Sequence, residues 1–336
     1  MRSLTPLAGA ALLVAVSALS GGAVVLSPGT AVADGAPHAF TIKDPRIKES
    51  SGLAASRLHP GIYWTHNDSD DGPYIYAVDS RTGKTVATVT LTGVGRPRDV
   101  EAISMGPGNT LYVGDIGDNL GGSWPHVWIY KLPEPRELHD ETVRATQYTV
   151  QYDNGPRDAE ALMVHPKTGR VYIVDKNEDG GHLYEGPATL SPSGTNVFKK
   201  GAPIDLWVTD GAFSPDGEHL AVRGYFGGIL YDWRGDRPVR KARLDVPMQN
   251  QGESVTYTPD GGTLMYGSEG AQSEVVPERV PGASGSGSGS ATAGGSGADG
   301  DASGGKGLEG NYGKGALVLL IALALVFGAK KAVRRK

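Results

Sequence analysis

Pro215-Asp216-Gly217-Glu218-His219-Leu220-Ala221-Val222 decides the fold, because its pattern, a proline turn followed by a strand, occurs five times in the chain. The other copies are His59-Pro60-Gly61 before Ile62-Tyr63-Trp64, Pro107-Gly108-Asn109 before Thr110-Leu111-Tyr112-Val113, Pro166-Lys167-Thr168-Gly169 before Arg170-Val171-Tyr172-Ile173-Val174, and Pro259-Asp260-Gly261 before Thr263-Leu264-Met265-Tyr266. Proline fixes φ near the turn value and glycine permits positive φ, so each copy reverses the chain between two strands. Successive prolines stand roughly 44 to 59 residues apart, a period that marks stacked supersecondary units of about that length. One such unit cannot bury its own faces, so neighbours must stack around an axis.

Working outward, each copy expands into four strands. In the first, Gly52–Ala55 is the inner strand, Ile62–His66 the second, Tyr74–Val78 the third and Thr85–Leu91 the outer. The second runs from Ala102 through Leu111–Val113 and Val127–Tyr130 to Thr146–Val150, and the third from Ala161 through Val171–Val174 to His182–Tyr184. The fourth has Gly228–Asp232 as its third strand. The fifth holds Ser254–Tyr257, Thr263–Tyr266 and Glu274–Val280 and then stops, so its outer strand is missing. Ala39–Lys43 is a spare strand near the start, and it is expected to complete the last blade and close the ring. The predicted fold is therefore all-β, a five-bladed β-propeller, with six blades as the alternative because Gly186–Leu206 has room for an extra sheet. On these repeats the chain resembles the secreted WD40- or YVTN-like β-propeller proteins of bacteria, a resemblance that covers nearly the whole body and implies fold rather than activity.

The ends carry targeting signals. Arg2, the apolar Leu7–Leu19 and Ala31-Val32-Ala33 before Asp34 make residues 1–33 an expected signal peptide. The β-domain then spans 34–280, a Gly/Ser-rich linker 281–311, and a transmembrane helix with a basic tail 312–336. The apolar core Ala316–Ala329 is short for a bilayer, but Tyr312 and Gly313 extend it, and Lys314 and Lys330 can snorkel. Lys330, Lys331, Arg334, Arg335 and Lys336 belong in the cytoplasm by the positive-inside rule, which places the body outside, tethered to the cell membrane. The expected partners are that membrane and a cell-envelope or extracellular ligand. The chain has no cysteine, so the core alone must stabilise an exported domain. Its net charge of −5 includes the basic tail and excludes nucleic acid as an expected partner.

A second repeat is more local. Pro97-Arg98-Asp99-Val100-Glu101-Ala102 matches Pro156-Arg157-Asp158-Ala159-Glu160-Ala161, and Gln251-Gly252-Glu253-Ser254 follows suit. Ser51 holds the glutamate position in the first copy, and Asp210 is the nearest acid in the fourth. These positions open the inner strands, so they converge on one mouth of an axial channel. The ends of the second strands and the loops beyond bring Asp68, Asp115, Asp175 and Glu269 to the same face, with Arg98, Arg157, Lys176 and Arg223 to neutralise them. Oxygen ligands from several strands suit a hard cation such as Ca²⁺.

The ring of Ser51, Glu101, Glu160 and Glu253, with Asp210 nearby, resembles the central calcium site of the calcium-activated apyrase propellers. Phytase-like propellers likewise join calcium to phosphoester hydrolysis. The resemblance implies Ca²⁺ as cofactor, with Ser51, Glu101, Glu160, Asp210 and Glu253 as metal ligands. Arg98, Arg157, Asp68, Asp115, Asp175, Lys176, Arg223 and Glu269 are the expected ligand-binding residues. Two functions follow. One is a binding or scaffold module; the other is a calcium-dependent phosphoester or nucleotide hydrolase, with Arg98 and Arg157 gripping phosphate and Asp68, Asp115 or Asp175 taking the proton. A third use of the same acids is structural, as acceptors for backbone N–H groups of the next blade, and the Arg-Asp pairs read as inter-blade salt bridges. Asp175–Gly180 with Glu185, and Asn67–Gly72, begin like EF-hand loops but also suit polar hairpin turns. The chain has no His-Glu-x-x-His, P-loop, Gly-x-Ser-x-Gly or dinucleotide fingerprint. All five tryptophans, Trp64, Trp124, Trp128, Trp207 and Trp233, suit cores or blade interfaces better than a sugar platform, and Trp124 in its Gly-rich loop is the one to test for the latter.

Overall fold

The computed structural model describes residues 36–69 and 71–283. Asp70, all of the expected signal peptide, nearly all of the expected linker and the expected C-terminal helix lie outside the described residues. Every regular element described is a strand, and among these residues no helix is long and apolar enough to cross a membrane.

In chain order the strands are β1 (Phe40–Thr41), then β2 (Ser50–Ala55), β3 (Ile62–Asn67), β4 (Tyr74–Asp79) and β5 (Lys84–Thr92). Next come β6 (Val100–Gly106), β7 (Thr110–Asp115), β8 (Val127–Pro133), β9 (Glu141–Arg144) and β10 (Thr146–Tyr152). β11 (Ala159–Val164), β12 (Val171–Asp175), β13 (Gly181–Glu185) and β14 (Thr195–Ile204) follow, then β15 (Val208–Phe213), β16 (His219–Gly224), β17 (Gly227–Arg234) and β18 (Arg237–Leu244). The last three are β19 (Gly252–Tyr257), β20 (Thr263–Ser268) and β21 (Glu274–Arg279). The sheet orders are β2-β3-β4-β5-β9, β6-β7-β8-β10-β14-β13-β12-β11, β15-β16-β17-β18 and β19-β20-β21-β1.

The first strands β2, β6, β11, β15 and β19 pack side by side in a closed cycle, each against the next and β19 against β2. This is a propeller-like arrangement of meanders. The repeated turns make it: the turn glycines Gly61, Gly108, Gly169, Gly217 and Gly261 all have φ between 68° and 80°, a region where a Cβ is penalised. Middle strands are buried on both faces, which is why they read as unbroken apolar runs such as Leu111-Tyr112-Val113.

Five apolar clusters fill the spaces between successive meanders. Trp64 and Ile75 pack with Ile103 and Leu111; Tyr112 and Ile129 with Leu162 and Ile173; Met163 and Tyr172 with Leu220 and Val222. Leu230 and Ala221 pack with Val255 and Tyr266, and Tyr63 and Tyr76 with Met265 and Val275, so the circle of cores has no open face.

The spare N-terminal strand takes its expected place. Phe40 pairs with Val275 and Thr41 with Glu274, antiparallel. The Ile42 amide donates to Ser273 O at 2.9 Å, and Lys43 donates to Gly83 O and Thr82 O, so the segment ties the last meander to the first. Two features were not expected. The link between β8 and β10 detours to lay β9 parallel to β5. β14 pairs antiparallel with β13 through its second half and parallel with β10 through its first. Gly186–Leu206 therefore supplies the outer strand of the third meander instead of a further sheet. Both detours cover outer edges that would otherwise present free backbone groups.

Ile42 is fully buried in the closing cluster. Ile42→Ala is expected to cost about 2–5 kcal/mol in denaturant unfolding, whereas Val86→Ala, on the exposed face of β5, shifts stability by no more than about 0.5 kcal/mol.

Candidate functional site at the axial mouth

Each inner strand slips its register near its start. The ladder skips between Val100 and Ala102, Ala159 and Ala161, Gly252 and Ser254, Val208 and Asp210, and Ser50 and Leu53. A residue left out of a ladder is re-aimed by the local kink. The residues so placed are Glu101, Glu160, Glu253, Thr209 and Ser51, the second residue of each strand. The fourth meander thus presents Thr209, whose hydroxyl donates to Gly252 O at 3.2 Å. Asp210 follows it and faces elsewhere: its two oxygens accept Gly211 N–H at 2.7 Å and Val255 N–H at 2.8 Å. Its structural role is to pin the fifth meander to the fourth.

The three glutamates share one electrostatic environment. Ser51 Oγ donates to Glu101 Oε2 at 2.9 Å. Lys176 Nζ reaches in from the β12–β13 loop and donates to Glu160 Oε1 at 2.5 Å. Tyr225 OH donates to Glu253 Oε1 at 3.4 Å, and Glu253 Oε2 has no hydrogen-bond partner among the described residues, although Glu253 is buried. Burial, then the charges of Glu160, Asp99 and Asp68, push the Glu101 carboxyl well above its ordinary value of 4.5. Burial also lifts Glu253 and Glu160, opposed in each case by Lys176. Burial works against the Lys176 ammonium, but Glu160, Tyr225, Glu253 and Glu101 outweigh it and hold it well above 10.5. Lys176 is thus a tethered cation at the centre of the ring.

A second acidic group sits where the first and last meanders meet. Glu49, Asp68 and Glu269 each place one carboxylate oxygen within 4.8 Å of the others, half-buried. Asp68 also faces Glu101 and Glu253 electrostatically, so this group adjoins the ring. Sequence reasoning reached Asp68 and Glu269 but missed Glu49, which directly precedes Ser50-Ser51 and is the only signal for it.

The remaining expected ligand residues are engaged within the meanders or between neighbouring ones. Asp115 accepts the backbone N–H groups of Arg98 and Asp99 and the Tyr130 hydroxyl, the last at 2.6 Å. Asp175 accepts His182 N–H at 2.5 Å and Arg157 Nη1 at 2.9 Å. Arg157 therefore pairs with Asp175 within its own sheet, and Asp158 instead accepts the Asp118 amide of the preceding meander. The Asp175–Gly180 loop is a hairpin turn closed by Asn177, which accepts Asp179 N–H and Gly180 N–H. Arg98 lies between two indoles, its Cζ 4.0 Å from the Trp124 centroid and 3.8 Å from that of Trp128. The buried Arg223 donates to Ser254 O and Gly267 O across the fourth–fifth interface, packed so closely on Gly252 that no side chain fits there. Glu134, unforeseen, is a further inter-meander staple: it accepts Ser56 Oγ–H at 2.5 Å and the Trp64 indole N–H at 2.9 Å.

No protein-family model and no characterised protein sequence matches the chain. Among solved structures it is similar to the hydrazine synthase of Kuenenia stuttgartiensis, at 16% identity and TM-score 0.38, covering 66% of this chain and 56% of that one. It is also similar to a protein from Bacteroides uniformis assigned as a 6-phosphogluconolactonase, at 13% identity and TM-score 0.39, covering 69% of this chain and 68% of that one. The chain spans little more than half the length of the hydrazine synthase chain. At these TM-scores neither likeness bears on function.

The ring makes stability depend on pH with a defined sign. Glu101 binds its proton more tightly folded than unfolded, so its contribution is full below pH 4.5 and is lost as pH rises through the folded value. Glu101→Gln keeps an acceptor for Ser51 and removes this loss; it is expected to unfold at higher denaturant than the parent at neutral pH and to match it in acid. Lys176→Met strands the buried Glu160 and costs about 3–5 kcal/mol at neutral pH, and adding Glu160→Gln restores most of that loss in a double-mutant cycle.

Proposed function

We propose that this chain is a five-bladed β-propeller, exported and held at the outer side of a cell membrane by its C-terminal segment, that works as a binding module through its acidic mouth. Five inner strands in a closed cycle, with five cores between them, support the blade count. The ligand class is a hard cation, with calcium as the first candidate. The observation that carries this reading is the approach of Glu49, Asp68 and Glu269 to within 4.8 Å beside a ring that already needs a tethered ammonium. Three carboxylates at that spacing repel one another and supply the oxygen donors that calcium takes.

In this reading the cation sits toward the first–fifth boundary, on Glu49, Asp68 and Glu269, and Lys176 holds the centre against Glu160. Ser51, Glu101 and Glu253 complete the negative field around it. A cation there bridges the first and last blades and strengthens the ring closure. The hydrolase alternative requires two guanidinium groups to hold phosphate, and Arg98 and Arg157 are both engaged in packing. The module is therefore the better reading.

Calcium added to the purified chain is expected to raise its melting temperature, by about 2.7 kcal/mol of stabilisation at a concentration near 100 times Kd. Asp68→Asn with Glu269→Gln abolishes the rise and, by relieving repulsion, leaves the calcium-free protein at least as stable as the parent. Phosphate release from nucleotides and phosphoesters stays at background. Metal analysis showing no bound calcium, with no thermal response, overturns the cation reading; calcium-dependent phosphate release overturns the module in favour of the hydrolase.

A further inference from the structure

A cavity of about 310 Å³ opens on the second meander, away from the acidic ring, between the Trp124–Val127 segment and the β10–β11 connection. Its walls are formed by Trp124, His126, Val150, Gln151, Tyr152 and Pro156 with their neighbours, and no carboxylate, lysine or arginine belongs to the lining.

The cavity is built rather than incidental. The loop that carries Trp124 is wound around Asp118, whose carboxylate accepts the amides of Ser123 and Trp124 and the Ser123 hydroxyl. The Gly121 and Gly122 amides donate to the Asp118 carbonyl, and both glycines have positive φ, 81° and 76°. Arg98 stacks on the Trp124 ring and is itself backed by Trp128, and Trp124, half-buried against the second–third core cluster, is held in place as a wall of the cavity. A guanidinium stacked between two indoles fixes the ring without entering the lining. Gln151 is likewise oriented: its Nε2 donates to Pro125 O at 3.1 Å, and its Oε1 stays available as an acceptor. Tyr152 lends the cavity part of its ring, while its hydroxyl is buried towards Tyr184, away from a ligand.

We propose that this cavity binds a neutral saccharide unit. A charged ligand finds no countercharge in the walls, and burying one without a partner is costly. A wholly apolar ligand would leave the imidazole and amide of the lining without polar partners. A sugar ring offers its C–H groups to the fixed indole and hydroxyls to Gln151 and His126, the mixture of an aromatic wall and few polar groups that specific small-ligand pockets use. The site is independent of the acidic mouth, so either reading can fail without the other.

The test uses the full purified chain with a panel of hexoses, N-acetylhexosamines and their short oligomers, read by tryptophan fluorescence and by saturation-transfer NMR. At least one saccharide is expected to bind at millimolar concentration or below. Trp124→Ala weakens it by at least about ten-fold, a change worth about 1.4 kcal/mol. Gln151 is exposed and outside the core clusters, so Gln151→Ala keeps the proposal testable if Trp124→Ala unfolds, and it also weakens binding. The proposal is overturned if no saccharide binds, if binding survives both substitutions, or if nucleosides show Trp124-dependent binding while the saccharides do not.

Discussion

The structure depends on closing a circle of sheets that bury both faces. A meander with apolar side chains above and below needs a neighbour on each side, and only a ring gives every member two. The fifth meander reaches its end at β21 without an outer strand, and β1 supplies it. Two ladder residues are a slight connection, but they carry Phe40 into contact with Tyr63 of the first meander, ring centroids 5.4 Å apart, and bring Ile42 and Ile47 into the closing core. The seam is held by the same burial that holds the other four interfaces, supplemented by the Lys43 bonds to the Thr82-Gly83 turn.

Ring closure has a chemical consequence at the axis. When the inner strands meet in a cycle, whatever opens each strand is forced towards its counterparts, and the register slips at Glu101, Glu160 and Glu253 make those openings side chains rather than ladder residues. Burial first, and the neighbouring carboxylates after it, oppose ionisation, so the fold itself raises Glu101, and Lys176 lies where it offsets that charge. The position of Lys176 follows from topology: the end of a second strand lies on the same side as the start of a first strand, so the residue after Asp175 arrives beside Glu160.

Much of this was legible in residues. The proline-glycine turns located every second strand, and a strand left over at one end matched a strand missing at the other. The Arg-Asp-x-Glu-Ala repeat located the axis. What was not legible was long-range pairing with no local signature. Nothing in Glu141–Arg144 says that it will lie parallel to β5, and β14 reads as one strand although it serves two partners. At the site, charge type was visible but direction was not. Asp210 and Thr209 are neighbours, and only the register slip decides which of them faces the axis. In sequence Arg98 and Arg157 suit either a phosphate grip or a salt bridge to the adjoining aspartate; stacking on Trp124 and pairing with Asp175 are properties of sheets brought together.

The acids on this face divide into two kinds. Asp115, Asp175 and Asp210 have their oxygens filled by backbone amides, hydroxyls or a guanidinium, and they hold the blades in shape. Asp210 joins two meanders, one oxygen accepting Gly211 N–H and the other Val255 N–H. Glu253 is buried as deeply yet keeps Oε2 without a described partner, and Glu49, Asp68 and Glu269 crowd three negative groups into one corner. An uncharged amide would satisfy Ser51 or Tyr225 equally well and avoid the repulsion. Lys176, bonded to Glu160 and facing Glu253 and Glu101, is the positive charge that the ring itself supplies.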